Sequence, residues 1–238
     1  MSRRGVTLDA AGTLIEVAEP VGVTYARIAG RHGLALAPDV AAAGFRAAFA
    51  SAPPLGMTTE RDVYAREWWR SVVRASFGAA AGDAVFEACF AELFAYYARA
   101  DAWRVFPEVP DTLRQLRADG VALAVVSNFD ARLPGILGGL GVESLVDAIV
   151  FSTGVGAAKP APAIFHHAVA AMGASLDETI HCGNDPVADV RGARAAGLAA
   201  VLIDRTGTGA AVPPDVPTIV TLAELPAVTS ALQIRGRC

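Results

Sequence analysis

One apolar strand in this chain stands apart from all the others. Val6-Thr7-Leu8 closes on Asp9 and the Gly12-Thr13 turn, and sustained strand character returns only beyond Gly120. Between about Pro20 and Ala100 apolar residues recur at helical spacing, and Gly33, Pro53-Pro54 and Gly78 divide that stretch into four helices. Trp68, Trp69, Phe86, Phe90, Phe94 and Tyr97 fall on their apolar faces, where packing of helix on helix accounts for them.

Beyond Trp103, helix and strand alternate. A helix over 110–119 feeds a strand over 121–126, and a helix near 131–140 feeds a strand over 148–151. Further helices over 161–172 and 187–196 lead to strands over 179–182 and 199–203, and a Gly- and Pro-rich loop over 206–217 precedes a last helix near 222–232. Apolar strands alternating with helices build a parallel sheet covered on both faces. The expected fold is therefore α/β: a doubly wound, Rossmann-like parallel sheet core (1–15 and 101–238) with an all-helical cap domain (16–100) inserted after strand one.

Composition narrows the function. A net charge of −4, from 20 basic against 24 acidic residues, supplies no basic face for nucleic acid. Cys89, Cys182 and Cys238 are too dispersed for a zinc site or a disulfide framework. No run of about 18 apolar residues is present for a membrane span, and Met1 to Asp9 forms no apolar signal region. A cytoplasmic monomer or homodimer acting on a small molecule is expected. His181 reads as a packed core histidine, Cys182 as a small buried filler, and His166-His167 as part of an exposed helix face. Lys159 is the only lysine in the chain.

Ligands of open α/β sheets bind at the carboxyl ends of the strands, and four of those ends are polar here. They read Asp9-Ala10-Ala11-Gly12-Thr13, Ser127-Asn128, Gly156-Ala157-Ala158-Lys159-Pro160, and Gly183-Asn184-Asp185-Pro186-Val187-Ala188-Asp189. Each alone is ordinary turn or cap chemistry. In this order, each after an apolar strand, they resemble the signatures of the haloacid dehalogenase superfamily of hydrolases. Within it, Glu67-Trp68-Trp69 and Ser127-Asn128-Phe129-Asp130 look most like the branch of haloacid dehalogenase-like hydrolase domain-containing protein 3.

The resemblance implies a mechanism. Asp9 would be the nucleophile, Ser127 a hydrogen-bond donor to the transferring group, and Lys159 the cation that neutralises charge on nucleophile and phosphoryl oxygens. Thr13 and Asn128 would order the site at the phosphate. Magnesium would be held by Asp9, the Ala11 carbonyl, Asn184, Asp185 and Asp189.

Two positions depart from the pattern. The superfamily's phosphatases carry a second aspartate two residues after the nucleophile, as general acid and base, and this chain has Ala11 there. Losing such a group costs about 10²–10⁴-fold in rate. The usual metal-binding aspartate is replaced by Asn184, whose amide oxygen ligates without charge. Phosphatase-type action on a small phosphorylated metabolite is therefore one reading. The alternatives are a metal-independent 2-haloacid dehalogenase-like hydrolase, since halide leaves without a proton, or a non-catalytic phospho-ligand-binding or scaffold protein. A halide cradle would call on a cap arginine, for which Arg46, Arg61 and Arg66 are available. Phosphonoacetaldehyde hydrolases share the alanine but need a cap lysine, which is absent here.

Overall fold

The computed structural model describes residues 4–53, 61–77, 82–207 and 209–235. Pro54, Gly78 and Cys238, and the side chain of Arg61, lie outside the described residues.

Six strands form one parallel sheet. They are β1 (Gly5–Leu8), β4 (Ala122–Ser127), β5 (Ala148–Phe151), β6 (Thr179–Gly183), β7 (Ala199–Ile203) and β8 (Thr218–Ile219), in the order β5-β4-β1-β6-β7-β8. The chain thus begins at the centre of the sheet and winds outward to both edges, so β4, β1 and β6 end side by side. Burial of both faces explains the apolar runs. In β4, Leu123 and Val125 face one core with Leu113, Leu116, Leu133 and Ile136. Ala122, Ala124 and Val126 face the other, with Ile164, Phe165, Ala168 and Val190. That is the alternation a strand imposes on successive side chains.

Two three-residue strands were not anticipated. β2 (Ile15–Val17) and β3 (Trp103–Val105) pair antiparallel, with Ile15 opposite Val105 and Val17 opposite Trp103. They bracket four helices, α1 (Val21–Arg31), α2 (Pro38–Ser51), α3 (Arg61–Phe77) and α4 (Asp83–Tyr96), so the insert leaves and rejoins the sheet through one ribbon. The helices pack around Tyr25, Ile28, Val73, Phe77, Phe86, Phe90 and Leu93. In α4, Phe86, Cys89, Phe90 and Leu93 recur at the spacing of one buried helical stripe.

The helix expected over 187–196 is a correction. Pro186–Arg191 winds as a wide π-type turn capped by Asp185, and only Gly192–Ala195 is α-helical. Such turns accompany functional sites because they shift side chains off the regular helical register. The last segment adds the short strand β8 and a capping box at Thr221 and Glu224 before the helix Leu225–Arg235.

Among the described residues no helix is long and apolar enough to cross a membrane. The insert depends on its aromatic core: Phe86 is fully buried, edge-on to Phe77 and stacked on Phe90. Phe86→Ala is expected to cost about 3–5 kcal/mol, measured by urea denaturation followed by Trp68 and Trp69 fluorescence.

Candidate active site

Asp9 leaves the end of β1, its backbone N–H donating to the Cys182 carbonyl of the neighbouring β6 at 3.0 Å. Its side chain is nearly buried, as is that of Lys159, which reaches it from the loop after β5. Lys159 Nζ donates to Asp9 Oδ1 at 2.6 Å and to Asp189 Oδ1 at 2.6 Å. Two carboxylates, one after β1 and one in the turn after β6, therefore share one ammonium.

Asp189 is held on all sides. His181 Nε2 lies 3.1 Å from its Oδ1, and the Asp185 N–H donates to its Oδ2 at 2.8 Å. A carboxylate only accepts, so His181 carries a proton on Nε2, and its Nδ1 lies 2.9 Å from the Thr7 hydroxyl. His181 is fully buried, edge-on to Phe165, as a core histidine should be, but it also fixes Asp189 beneath the lysine. The sequence reading missed that link. Gly183 makes the packing possible, because a Cβ there would come within 2.2 Å of the Asp189 carboxyl carbon.

The charges are set by burial against pairing. Burial raises the Asp9 carboxyl above the ordinary carboxylate range, against the pull of Lys159. At Asp189 burial acts in the same sense, yet Lys159 and the His181 hydrogen bond outweigh it and hold the group well below that range. Burial also opposes the Lys159 charge, and Asp189 and Asp9 overcome it to raise the ammonium above its usual pKa. Burial likewise raises the Cys182 thiol, which suits a filler rather than a nucleophile.

The remaining predicted residues surround this triad. Asn128 clasps the lysine backbone: its Nδ2 donates to the Lys159 carbonyl at 2.9 Å, and the Lys159 N–H donates to its Oδ1 at 2.7 Å. Ser127 is buried at the end of β4. The Thr13 hydroxyl is buried without a hydrogen-bond partner among the described residues, and the Thr13 carbonyl accepts from Arg205 at 2.7 Å. Arg205 also pairs with Glu108 at 2.7 Å and lies 3.6 Å over the Phe106 ring. This brace on the Asp9–Thr13 turn had no signal in the sequence.

The oxygens available to a cation are fewer than expected. Both Asp189 oxygens are engaged, and Asp185 Oδ1 caps the Val187 and Ala188 N–H groups at 2.7 and 2.8 Å. Asp9 Oδ2, the Ala11 carbonyl, Asn184 and Asp185 Oδ2 are not held in this way. The inward atom of the Asn184 amide lies 3.1 Å from Ala11 O and 3.3 Å from Asp9 Oδ2. Neighbouring ligands of an octahedral magnesium, each about 2.1 Å from the ion, lie about 3.0 Å apart. Those two separations are close to such an edge, while no group of three or more His, Cys, Asp or Glu side chains able to hold a metal occurs among the described residues.

Trp69, placed by the sequence in interhelical packing, also crosses to the core. Its Nε1 donates to Asp130 Oδ2 at 2.9 Å, and Asp130 pairs with Arg132, whose guanidinium lies 4.0 Å over Phe94. The two segments that carried the branch resemblance thus touch. Next to them is an aromatic cavity of about 80 Å³ lined by Tyr25, Phe45, Trp69, Phe94, Phe129 and Arg132, among others. Asp9, Ser127, Lys159 and Asn184 are not among its lining residues. Of the candidate halide-binding arginines, Arg46 is exposed and Arg66 lies over Phe90 and Phe94, 5.1 Å from each ring.

Two stability results follow. Asp189, depressed in the fold, stabilises it above the ordinary carboxylate range, and that contribution is lost as pH falls through its folded pKa. Lys159→Met leaves two buried carboxylates without their cation, at a cost of about 3–5 kcal/mol near neutral pH. Asp9, already raised by burial, loses the pull that opposed it, so its folded pKa lies further above the unfolded one and the deficit shrinks on mild acidification. Urea denaturation of both proteins across pH measures it.

A family model described as haloacid dehalogenase-like hydrolase matches residues 4–197. Haloacid dehalogenase-like hydrolase domain-containing protein 3 of Homo sapiens is 36% identical over 206 residues, covering 84% of this chain and 81% of the relative. Among solved structures, a HAD phosphatase from Thermococcus onnurineus superposes with a TM-score of 0.66 at 23% identity, covering 94% of this chain and 97% of that one. A 2-haloacid dehalogenase from Pseudomonas syringae pv. Tomato superposes with a TM-score of 0.61 at 22% identity, covering 97% and 99%. The fold is common to both chemistries and does not choose between them. On the match across its core and the relatives that span most of its length, the chain belongs to the haloacid dehalogenase-like hydrolase family.

Proposed function

We propose that the chain is a phosphatase-type hydrolase whose nucleophile is Asp9, acting on a small phosphorylated metabolite. Residues 1–15 and 101–238 would serve as the catalytic core and 16–100 as a cap over it. The observation that carries this reading is the 2.6 Å contact of Lys159 Nζ with Asp9 Oδ1 at the strand ends. A buried ammonium on a buried carboxylate prepares the place where phosphoryl charge must be met.

An Asp9 oxygen attacks phosphorus, the bond from phosphorus to the leaving oxygen breaks, and an aspartyl phosphate forms. Lys159 counters the negative charge on Asp9 and the transferring oxygens, held in place by Asn128 through both of its backbone hydrogen bonds. Ser127 donates to a phosphoryl oxygen, and Thr13 orders the turn that presents Asp9. Water then attacks phosphorus, the bond from phosphorus to the Asp9 oxygen breaks to restore the carboxylate, and the water proton leaves on the released phosphate or the departed anion. Magnesium held by Asp9, the Ala11 carbonyl and Asn184 would add positive charge beside the phosphoryl group. Asp189 keeps the lysine charged and in position.

Ala11 sets the substrate class. With no carboxyl at that position to protonate the leaving oxygen, the group must leave as an anion, which favours acyl and aryl phosphates over alkyl phosphates. The dehalogenase reading draws on Ala11 and Asn184, but the cap arginines with described side chains give it no halide cradle at Asp9.

Purified protein with magnesium is expected to hydrolyse acetyl phosphate or p-nitrophenyl phosphate, and Asp9→Asn to reduce the rate to background. Failure on both substrates overturns the proposal. Ala11→Asp is expected to raise turnover of an alkyl phosphate by about 10²-fold or more while changing acyl phosphate turnover much less. Steady-state kinetics on the two substrates measures the difference.

A further inference from the structure

Asn184 stands where the family pattern has a charged metal ligand, and its amide has two usable ends. Turned with Nδ2 inward, it donates to Ala11 O at 3.1 Å and to Asp9 Oδ2 at 3.3 Å. Those are two of the other oxygens open to a cation, beside Asp185 Oδ2. Turned with Oδ1 inward, the same side chain faces them as a third oxygen, an arrangement that is repulsive until a cation sits between them. Gly12 leaves room for the amide, because a Cβ at Gly12 would come within 2.7 Å of it.

We propose that Asn184 is a two-position amide whose N–H group takes the place of the divalent cation in the metal-free protein. The charge count supports it. Asp9 and Asp189 against Lys159 leave a single negative charge among these nearly buried groups. Asn184 itself is exposed, so an aspartate there would be hydrated, yet it would still set a second negative charge beside Asp9 Oδ2, a like-charge repulsion that a cation relieves. The amide instead satisfies Asp9 Oδ2 and Ala11 O and adds no charge. Cation entry then has to break two hydrogen bonds and turn the amide, and it gains a neutral ligand in return. The site is organised without metal, and magnesium binds it weakly and optionally.

The proposal rests on the assignment of Asp9, Ala11 and Asn184 as the cation's ligands, and its test reads no catalysis. Thermal unfolding of the full chain would be recorded in EDTA and in millimolar magnesium for the wild type, Asn184→Asp and Asn184→Ala. The wild-type midpoint is expected to be the same in both. Asn184→Asp is expected to melt lower than wild type in EDTA and to recover in magnesium, with magnesium affinity by calorimetry raised at least about tenfold. Asn184→Ala should melt lower in both. In the wild type without metal, NMR should show the Asn184 side-chain amide protons protected from exchange.

A wild-type midpoint that rises with magnesium as far as that of Asn184→Asp overturns the proposal. So do fast-exchanging Asn184 amide protons in EDTA, a result that does not depend on either variant folding. A protein that shows the expected melting pattern but no phosphatase activity would reject the catalytic reading and keep this one. The reverse outcome would do the opposite.

Discussion

A lysine buried between two carboxylates is the constraint around which the rest of this structure is arranged. Lys159 Nζ sits 2.6 Å from both Asp9 and Asp189, and all three side chains are almost wholly removed from water. Desolvating three charges is costly unless every one is paired and hydrogen-bonded. The structure meets that condition locally. His181 and the Asp185 N–H complete Asp189, Asn128 fixes the lysine backbone, and Asn184 can bond the free oxygen of Asp9. Removing one member leaves its partners stranded, so stability and reactivity are bound up in the same atoms.

The sheet order makes that arrangement reachable. β1 lies between β4 and β6, so Asp9 emerges with Ser127 on one side and the loop bearing Asn184 and Asp189 on the other. The parallel direction brings all the ends to one edge, and the chain after β5 returns to deliver Lys159. Two small features tune the fit. Gly183 admits the Asp189 carboxyl, and the wide turn 186–191 lets Asp185 cap it while Asp189 turns inward. The insert is tied to the same edge by Trp69, Asp130 and Arg132, one loop beyond Ser127.

Much of this was legible in the sequence because strands buried on both faces leave unbroken apolar runs. β5 and β7 fall on the residues read from the sequence, β1 and β6 differ by one residue at one end, and β4 is shifted by one residue at both ends. The four helices of the insert follow from their stripes and breakers. β2 and β3, at three residues each, are too short to show any period, and pairing alone defines them. The capping box at Thr221 and Glu224 was readable from its spacing and went unread. Arg205, His181 and the Trp69–Asp130 contact are tertiary: no local pattern marks a guanidinium that will brace Thr13, or a core histidine that will bond an aspartate. Motif order singled out residues that the fold brings together around Asp9, whereas the contacts among them, with Asp189 turned to the lysine instead of outward, are tertiary.

Asp9 as a nucleophile toward phosphorus is the central claim, and the fate of the water oxygen tests it. If Asp9 attacks phosphorus, the intermediate is cleaved at phosphorus and the oxygen of water enters the phosphate. If Asp9 attacks the acetyl carbon, phosphate leaves with its own oxygens and the mixed anhydride is cleaved at a carbonyl carbon, so the oxygen of water enters Asp9 or acetate and none enters phosphate. Many turnovers of acetyl phosphate in heavy-oxygen water, followed by mass spectrometry of phosphate and of the peptide bearing Asp9, separate the two. The structure as read here predicts label in the phosphate, none in Asp9, and no enzyme-dependent label with Asp9→Asn. Heavy oxygen in the Asp9 carboxylate, or undiminished labelling of phosphate by the Asp9→Asn protein, would contradict it.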